Sequence, residues 1–190
     1  MKKLKFITSN KHKVKEIQMI LDDFDVELEQ VQIDYPEDKE DDMEAVARKA
    51  SKNLAEQLGE PVIVEDTGIF FKAYNNFPGA QPKFVFNGIG FDGIFRLLAG
   101  KDRGAYFKTV IGYCEPGKEP INFIGEAHGD ITEDIREPDK DLMPYTHIFQ
   151  YEGYSEATAE MPLEEKLKYS QRGKAARKLG EFLKKKHENS

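Results

Sequence analysis

The sequence predicts an α/β fold with a mixed β-sheet. Its first half alternates short β-branched, apolar runs with amphipathic helical patterns, and its second half contains two longer β-rich runs joined by a turn. The chain has 190 residues, of which 39% are apolar and 11% aromatic, so it can form one sizeable core. We therefore expect residues 1–190 to form a single domain.

The early elements follow the order strand, tight turn, helix. Leu4 to Thr8 is the first predicted strand, and Asn10 is a suitable N-cap for the helix after it. Val26 to Ile33 predicts a second strand. A longer helix is predicted from Met43 to Leu58, with Gly59 just past its end.

The later elements are a turn, two helices and a hairpin. Asn75 to Gly79 has the composition of a turn, and Phe91 to Leu98 predicts a short helix. Ala105 to Cys114 and Ile121 to Ile131 predict the two strands of a hairpin. The last predicted helix covers Gln171 to Lys186, and its lysine-rich end suits the negative end of the helix dipole.

Two adjacent carboxylates, Glu65 and Asp66, are the most informative local feature. They follow an apolar run that predicts a buried strand, and we expect that strand to end there, at the edge of the α/β core where ligands usually bind. Burying them would cost several kcal/mol unless a metal, a cation or hydrogen bonds compensated. A divalent ion is the economical interpretation; a turn cap or a solvated edge is the alternative.

Three segments carry cations suited to an anionic ligand. Residues 8–13 lie in the turn before the first helix, where backbone N–H groups and polar side chains can bind phosphate. This turn lacks the glycine pattern of a P-loop, so a capped, solvated helix start is the alternative. Residues 78–83 and 164–172 add further lysines and an arginine, although each could be an ordinary surface charge cluster.

Composition excludes several classes of protein. The formal charge of −7 argues against a nonspecific nucleic-acid coat. The single cysteine, Cys114, excludes an internal disulfide and any zinc site built on cysteines. No apolar run is long enough to span a membrane, and the N-terminus lacks the apolar core of a signal peptide. We expect a cytoplasmic protein with neither nucleic-acid nor membrane partners.

Several motifs occur together in one order and spacing. They are Thr8-x-Asn-x-x-Lys13 with Glu16, Glu65-Asp-Thr-Gly68, Phe77-Pro-Gly79, Ala159-Glu-Met161, Glu165-Lys166 and Ser170-x-Arg-Gly-Lys-Ala175. From about residue 4 to residue 183, the chain resembles the inosine triphosphate pyrophosphatases, or Ham1 family of non-standard purine nucleotide pyrophosphatases. The resemblance implies a two-lobed fold with a long twisted mixed sheet flanked by helices, a homodimer, and an active site in the cleft between lobes.

The resemblance also implies a reaction and its residues. The reaction is hydrolysis of a nucleoside triphosphate to the monophosphate and pyrophosphate with Mg²⁺, or Mn²⁺ as the alternative. Glu37 and Asp66 fall on acidic positions tied to metal binding and water activation, with Glu65 beside them, and Asp66 is our candidate general base. The triphosphate-binding positions are Thr8, Asn10, Lys13, Lys83 and Lys166.

The segments that read the base depart from the family pattern. The usual Phe-Gly-Tyr/Trp-Asp-Pro motif is Met143-Pro-Tyr145-Thr146-His147, so methionine replaces the stacking ring and threonine the aspartate. The Ser-His-Arg motif, which contacts the purine 6-oxo edge in the family, becomes Ser-Gln171-Arg172, so the arginine is kept and the histidine is lost. The residues implied for triphosphate binding are therefore present, whereas several of those implied for base recognition are replaced. This difference predicts an altered or relaxed base preference.

Two other functions remain open. The chain could bind a nucleotide as a sensor without turnover, although retention of Glu37, Asp66 and Lys13 argues against that. It could also be a pyrophosphatase for pyrimidine or modified nucleotides, like the Maf proteins, with the same chemistry and a different base.

Overall fold

The computed structural model describes residues 2–33 and 42–188. It confirms the α/β class. Two single-turn 3₁₀ segments cover Asp22–Phe24 and Pro144–His147. The strands and helices in chain order are β1 (Lys2–Ile7), α1 (Lys11–Leu21), β2 (Val26–Val31), α2 (Met43–Leu58), β3 (Val62–Phe71), β4 (Pro78–Gly79), α3 (Pro82–Leu97), β5 (Gly104–Cys114), β6 (Ile121–Ile131), β7 (Phe149–Tyr151), α4 (Leu163–Tyr169) and α5 (Gln171–Glu188).

The strands of the described residues form one mixed sheet. Its order is β2-β1-β3-β5-β6-β7, and β4 adds a short pairing to β3. β1 runs parallel to β2 and β3, whereas β4, β5, β6 and β7 pair antiparallel with their neighbours. Consecutive βα connections at one end and a hairpin at the other therefore produce the mixed sheet that the sequence predicts.

Helices cover both faces of this sheet. α1 and α5 pack on the face that contains Ile63 and Ile111, whereas α2 packs on the face that contains Val64 and Val110. A separate cluster beneath α3, the second 3₁₀ segment and β7 is rich in aromatic rings and buries Phe149. None of the helices in the described ranges combines the length and the apolar character that crossing a membrane requires.

The predicted elements of the first half and the hairpin are confirmed. Asn10 caps α1 and Gly59 ends α2 with a φ of 66°, a left-handed conformation that glycine adopts readily. The hairpin strands differ from their predicted bounds by one residue at most. The sequence did not predict β4, β7 or α4, which are short or lack a periodic apolar pattern.

The prediction that the opening strand ends at the two carboxylates is wrong. β3 continues to Phe71 because its pairing with β5 extends without a break along all ten residues. What ends near Glu65 is the parallel neighbour β1, whose last pairing with β3 is between Phe6 and Ile63. The carboxylates consequently lie in the middle of one strand and just past the end of another.

The predicted short helix at residues 91–98 is also incomplete. The helical segment begins at Pro82, where proline occupies the first turn. Gly90 interrupts it with φ 61° and ψ −171°. Among residues 82–97 only Gly90 leaves the helical conformation.

Candidate active site

The central strand β3 has one edge that is only partly covered. On that edge β1 pairs with residues 62–63 and β4 pairs with residues 69–70. Between these two pairings, none of the described strands covers this edge of β3 at residues 64–68, which pair only with β5 on the other edge. At roughly 3.3 Å per residue this gap is about 16 Å long. We call it the notch, and Glu65 and Asp66 lie on its floor.

The loop between β1 and α1 forms one wall of the notch. Oδ1 of Asn10 accepts hydrogen bonds from the backbone N–H groups of His12 (2.9 Å) and Lys13 (3.3 Å). Oγ1 of Thr8 accepts from the backbone N–H of Asn10 at 3.1 Å. From this loop, Nζ of Lys13 donates to the backbone carbonyl of Glu65 at 3.1 Å. The three predicted phosphate-binding residues of this loop are therefore fixed beside the notch.

Five charged side chains from α1, β3, α4 and α5 form a buried ion network behind this wall. Nζ of Lys166 donates to Oε1 of Glu16 at 2.6 Å. Arg172 donates from Nη1 to Oε2 of Glu16 at 2.6 Å and from Nε to Oε1 of Glu65 at 3.1 Å. Nζ of Lys13 lies 2.5 Å from Oε2 of Glu65. Positive and negative groups alternate along the network.

The network keeps its carboxylates ionised. Burial opposes ionisation of Glu65, but Lys13 and Arg172 outweigh that cost and lower its pKa to about 2. Burial likewise opposes ionisation of Glu16, whose pKa is nevertheless lowered by Arg172 and Lys166. Three cations and two carboxylates leave one net positive charge. A buried excess of positive charge is a favourable environment for an anionic ligand.

Thr67, which is itself hydrogen-bonded to Thr109, completes the contacts of the Glu65 carboxylate. Oγ1 of Thr67 donates to Oε1 of Glu65 at 2.5 Å and shares a 2.6 Å hydrogen bond with the hydroxyl of Thr109. Both carboxylate oxygens of Glu65 are thus directed at protein donors or cations. Cations and hydrogen bonds provide the compensation that the sequence led us to expect from a divalent ion, and the role of Glu65 as a metal ligand stays a prediction.

Asp66 lies on the other face of the sheet. Side chains alternate along a strand, so Asp66 points toward the α2 side, where it is half-buried. Glu37, the other predicted acidic residue, lies outside the described residues. Within the described residues no group of three or more His, Cys, Asp or Glu side chains could hold a metal. Mg²⁺ usually takes one or two protein carboxylates and completes its shell with substrate phosphates and water, so the donor chemistry of Asp66 fits this ion.

The segment from β4 into α3 forms the opposite wall. Lys83 is exposed in the first turn of α3 and does not belong to the ion network. The hydroxyl of Tyr145 donates to the carbonyl of Pro82 at 3.1 Å. The rings of Phe86 and Tyr145 are 6.2 Å apart, edge to face. These contacts join the wall to the segment that the resemblance assigns to the base.

The segment assigned to the base, residues 143–147, also reaches the wall formed by the loop between β1 and α1. Sδ of Met143 lies 3.9 Å from Nδ2 of Asn10. Thr146 and Gln171 are buried, and burial raises the pKa of Tyr145 above its usual range. The structure therefore brings the base segment within contact of both walls of the notch.

Comparison with known proteins identifies the family. The Ham1 family model matches residues 4–182. The chain belongs to the Ham1 family. It is 43% identical over 183 residues to a dITP/XTP pyrophosphatase of Methanopyrus kandleri, and the match covers 96% of each chain. It is also 43% identical over 176 residues to a dITP/XTP pyrophosphatase of Methanosarcina mazei, and that match covers 92% of this chain and 94% of the relative. A Ham1 structure from Coxiella burnetii has the same fold, with a TM-score of 0.78 at 24% identity over 97% of this chain and 100% of that one.

Three further residues of the candidate site, Glu16, Thr67 and Thr109, could not be assigned a role from the sequence of this Ham1 protein. Glu16 stands on the apolar face of α1 with Ile17 and Ile20, and a carboxylate on such a face signals a buried cation partner. Thr67 and Thr109 carried no comparable signal, because their hydroxyl contact joins residues 42 positions apart.

Proposed function

We propose that this chain hydrolyses nucleoside triphosphates to monophosphates and pyrophosphate, acting on non-standard purine nucleotides such as dITP and XTP. The observation that carries the proposal is the net positive ion network beside the notch, with Asp66 on the floor of the same notch. Full-length similarity to two proteins named dITP/XTP pyrophosphatase supports it.

We assign the triphosphate to the space between the two walls. Lys13 has three N–H donors, of which two already meet the backbone carbonyl and the carboxylate of Glu65. The third is available for a phosphate oxygen, as are the Nδ2 group of Asn10 and the hydroxyl of Thr8. Lys83 approaches from the opposite wall. Such charge-assisted contacts are about twice as strong as neutral ones.

Lys166 has a different relation to the phosphates. Its ammonium group is buried against Glu16, and burial lowers its pKa although Glu16 opposes that effect. We assign it to the phosphate-binding set on the family resemblance, and its position in the network lets it add positive potential behind Arg172.

We assign the general base to Asp66. In this step its carboxylate takes a proton from water, the water oxygen attacks the α-phosphorus, and the bond from that phosphorus to the bridging oxygen breaks to release pyrophosphate. Mg²⁺, with Mn²⁺ as the alternative, would neutralise charge on the phosphates when held by Asp66 and Glu37. Glu65 then has the role of positioning Lys13 and Arg172 through its two carboxylate oxygens. We further expect a homodimer in the cytoplasm, as the family resemblance implies.

A nucleotide panel tests the function. Purified protein is incubated with Mg²⁺ or Mn²⁺ and with dITP, XTP, ITP, the four standard ribonucleotides and two modified pyrimidine nucleotides, and pyrophosphate and orthophosphate are assayed separately. We expect pyrophosphate and the monophosphate from at least one non-standard purine. Release of orthophosphate alone, or binding without any product, would contradict the proposal. Activity confined to pyrimidine nucleotides would mean that the substrates are pyrimidine and not purine triphosphates.

A further inference from the structure

Phe84 is the most exposed large apolar side chain among the described residues. Its exposed fraction is 70%, whereas the next value, for Ile89 on the same helical segment, is 42%. Exposing a phenyl ring leaves apolar surface in water, which is unfavourable relative to burial. A ring this exposed at the start of a helix is well placed to contact a ligand.

The outward face of α3 combines this ring with polar groups. At 100° per residue, Lys83, Phe84 and Asn87 fall on one side of the helix, and all three are exposed. Phe86 points the other way, into the aromatic cluster under α3. Phe84 therefore shares its face with the lysine that we assign to the triphosphate, whereas Ile89 lies well away from that face.

The start of α3 is held against the segment assigned to the base. Pro82 accepts the hydrogen bond of the Tyr145 hydroxyl, and Phe86 packs on the same ring. Phe84 lies between these two anchored positions in the sequence. With Lys83 beside it, Phe84 belongs to the wall of the notch that these contacts join to the segment assigned to the base.

We propose that Phe84 stacks on the base of the bound nucleotide and supplies the aromatic surface that Met143 lacks. The inference rests on the proposed function, since it assumes a nucleotide in the notch. Stacking on an aromatic ring tolerates any base because every base has a π-face. A phenyl ring on this wall accordingly strengthens binding without selecting one purine.

Fluorescence can test the contact independently of catalysis. The chain contains no tryptophan, so Phe84→Trp introduces a single reporter, and Ile89→Trp is the matched control on another face of the same segment. Each protein is titrated with inosine monophosphate and, separately, with pyrophosphate. We expect the monophosphate to quench the Phe84→Trp emission strongly, pyrophosphate to change it little, and Ile89→Trp to respond to neither.

The same titration can overturn the proposal. Equal responses to both ligands would mean that the reporter senses phosphate binding or loop movement and not the base. No response of Phe84→Trp in a protein that binds the monophosphate by calorimetry would remove Phe84 from the base site. If the monophosphate quenches the emission of Phe84→Trp but the wild type releases no pyrophosphate from any triphosphate, the proposed function fails while the stacking contact stands.

Steady-state kinetics of Phe84 variants provide a second test. Phe84→Leu keeps an apolar side chain without a flat ring, and we expect it to raise KM for the preferred triphosphate about tenfold while leaving inhibition by pyrophosphate unchanged. Phe84→Tyr should restore KM, and Ile89→Ala should behave as wild type. If Phe84→Leu instead changes the sedimentation coefficient and leaves KM unaltered, the ring belongs to an interface between copies, and the proposal is wrong.

Discussion

Glu65 supplies a buried negative charge between two cations, Lys13 and Arg172. Its carboxylate is completely buried and contacts Lys13, Arg172 and Thr67. A buried pair adds little net stability, because desolvation offsets the attraction, but removing one partner leaves an uncompensated charge. The residue therefore positions the cations of the candidate site, and its loss affects stability and binding together.

We expect Glu65→Gln to lower the free energy of unfolding by about 3 to 5 kcal/mol, the range for breaking a buried ion pair. Urea unfolding at pH 7 measures it. Glu119→Gln is the matched control, because Glu119 pairs with Lys52 at the surface, where solvent screening leaves an ion pair little effect on stability. Equal effects of the two substitutions would show that the network is not energetically coupled.

The same carboxylate predicts how stability depends on pH. Its pKa is lowered from 4.5 to about 2 in the folded protein, so on acidification the unfolded chain takes up this proton first. The resulting stability is present above about pH 4.5 and is lost as the pH falls toward 2. Urea unfolding between pH 5 and pH 2 should show a steeper loss for wild type than for Glu65→Gln, by up to about 1.4 kcal/mol per pH unit. Parallel curves would contradict the assignment.

Asp66 should matter for turnover and little for stability. We expect Asp66→Asn to lower kcat at least about 10²-fold, the usual scale for a general base, because the amide cannot accept the proton from water. Its side chain is only half-buried, so the melting temperature should stay within a few degrees of wild type. Pyrophosphate release and calorimetry measure the two effects. A near-normal rate, or an unfolded variant, would make Asp66 a structural residue.

Periodic sequence patterns predict the elements of the fold better than they predict its contacts. The apolar repeat of α2 and its following Gly59 specify that helix locally, and the prediction is confirmed. The continuation of β3 past Asp66 depends on pairing with β5 some 40 residues later, which no local pattern contains. The notch depends on where β1 stops and β4 begins, so sequence could supply its residues but not its shape.

The packing of α5 on β6 positions Gln171 and Arg172. The Cα of Gly125 faces α5 so closely that a Cβ there would fall on the backbone carbonyl of Gln171. Only glycine allows this approach, because backbone cannot yield as a flexible side chain can. The helix that carries Arg172 into the ion network therefore depends on a glycine in a strand.

We expect Gly125→Ala to lower the free energy of unfolding by about 2 to 3 kcal/mol, typical of overpacking, and to reduce turnover because it shifts Arg172. Gly88→Ala is the matched control. Its Cβ would meet nothing within 4 Å, and alanine in a helix is favoured over glycine by about 0.5 to 1 kcal/mol. Thermal unfolding should therefore separate the two in opposite directions. A stable, active Gly125→Ala protein would show that α5 can move without affecting the site.

The net charge of the whole molecule repels anions, whereas the candidate site carries a local excess of positive charge. The formal charge of −7 repels a triphosphate at long range, so attraction must come from the local excess of cations around Lys13 and Arg172. The two ends of the site also touch, since Met143 contacts Asn10 and His12 approaches Asp141 at 3.8 Å. The loop predicted to bind phosphate and the segment predicted to read the base are thus joined by direct contacts.

We expect base selectivity to depend on contacts that the family pattern implies, and this sequence lacks several of the residues that would make them. Met143 offers a flexible apolar surface instead of a flat ring, and Gln171 replaces a charged or tautomeric imidazole with a neutral amide. Each lost polar contact removes about 1 to 3 kcal/mol of discrimination. Arg172 can still donate to a 6-oxo group, although Glu16 and Glu65 already hold two of its N–H groups.

We therefore expect the kcat/KM for ITP to exceed those for ATP and GTP by less than about a thousandfold, because one remaining donor discriminates less than a complete set of contacts. The Met143→Phe, Gln171→His double variant should sharpen the preference for ITP, with its melting temperature as the control for correct folding. Steady-state pyrophosphate release on the three triphosphates measures both ratios. A wild type that already prefers ITP by a thousandfold or more would show that other residues read the base, and that the rebuilt segment at residues 143–147 does not set the preference.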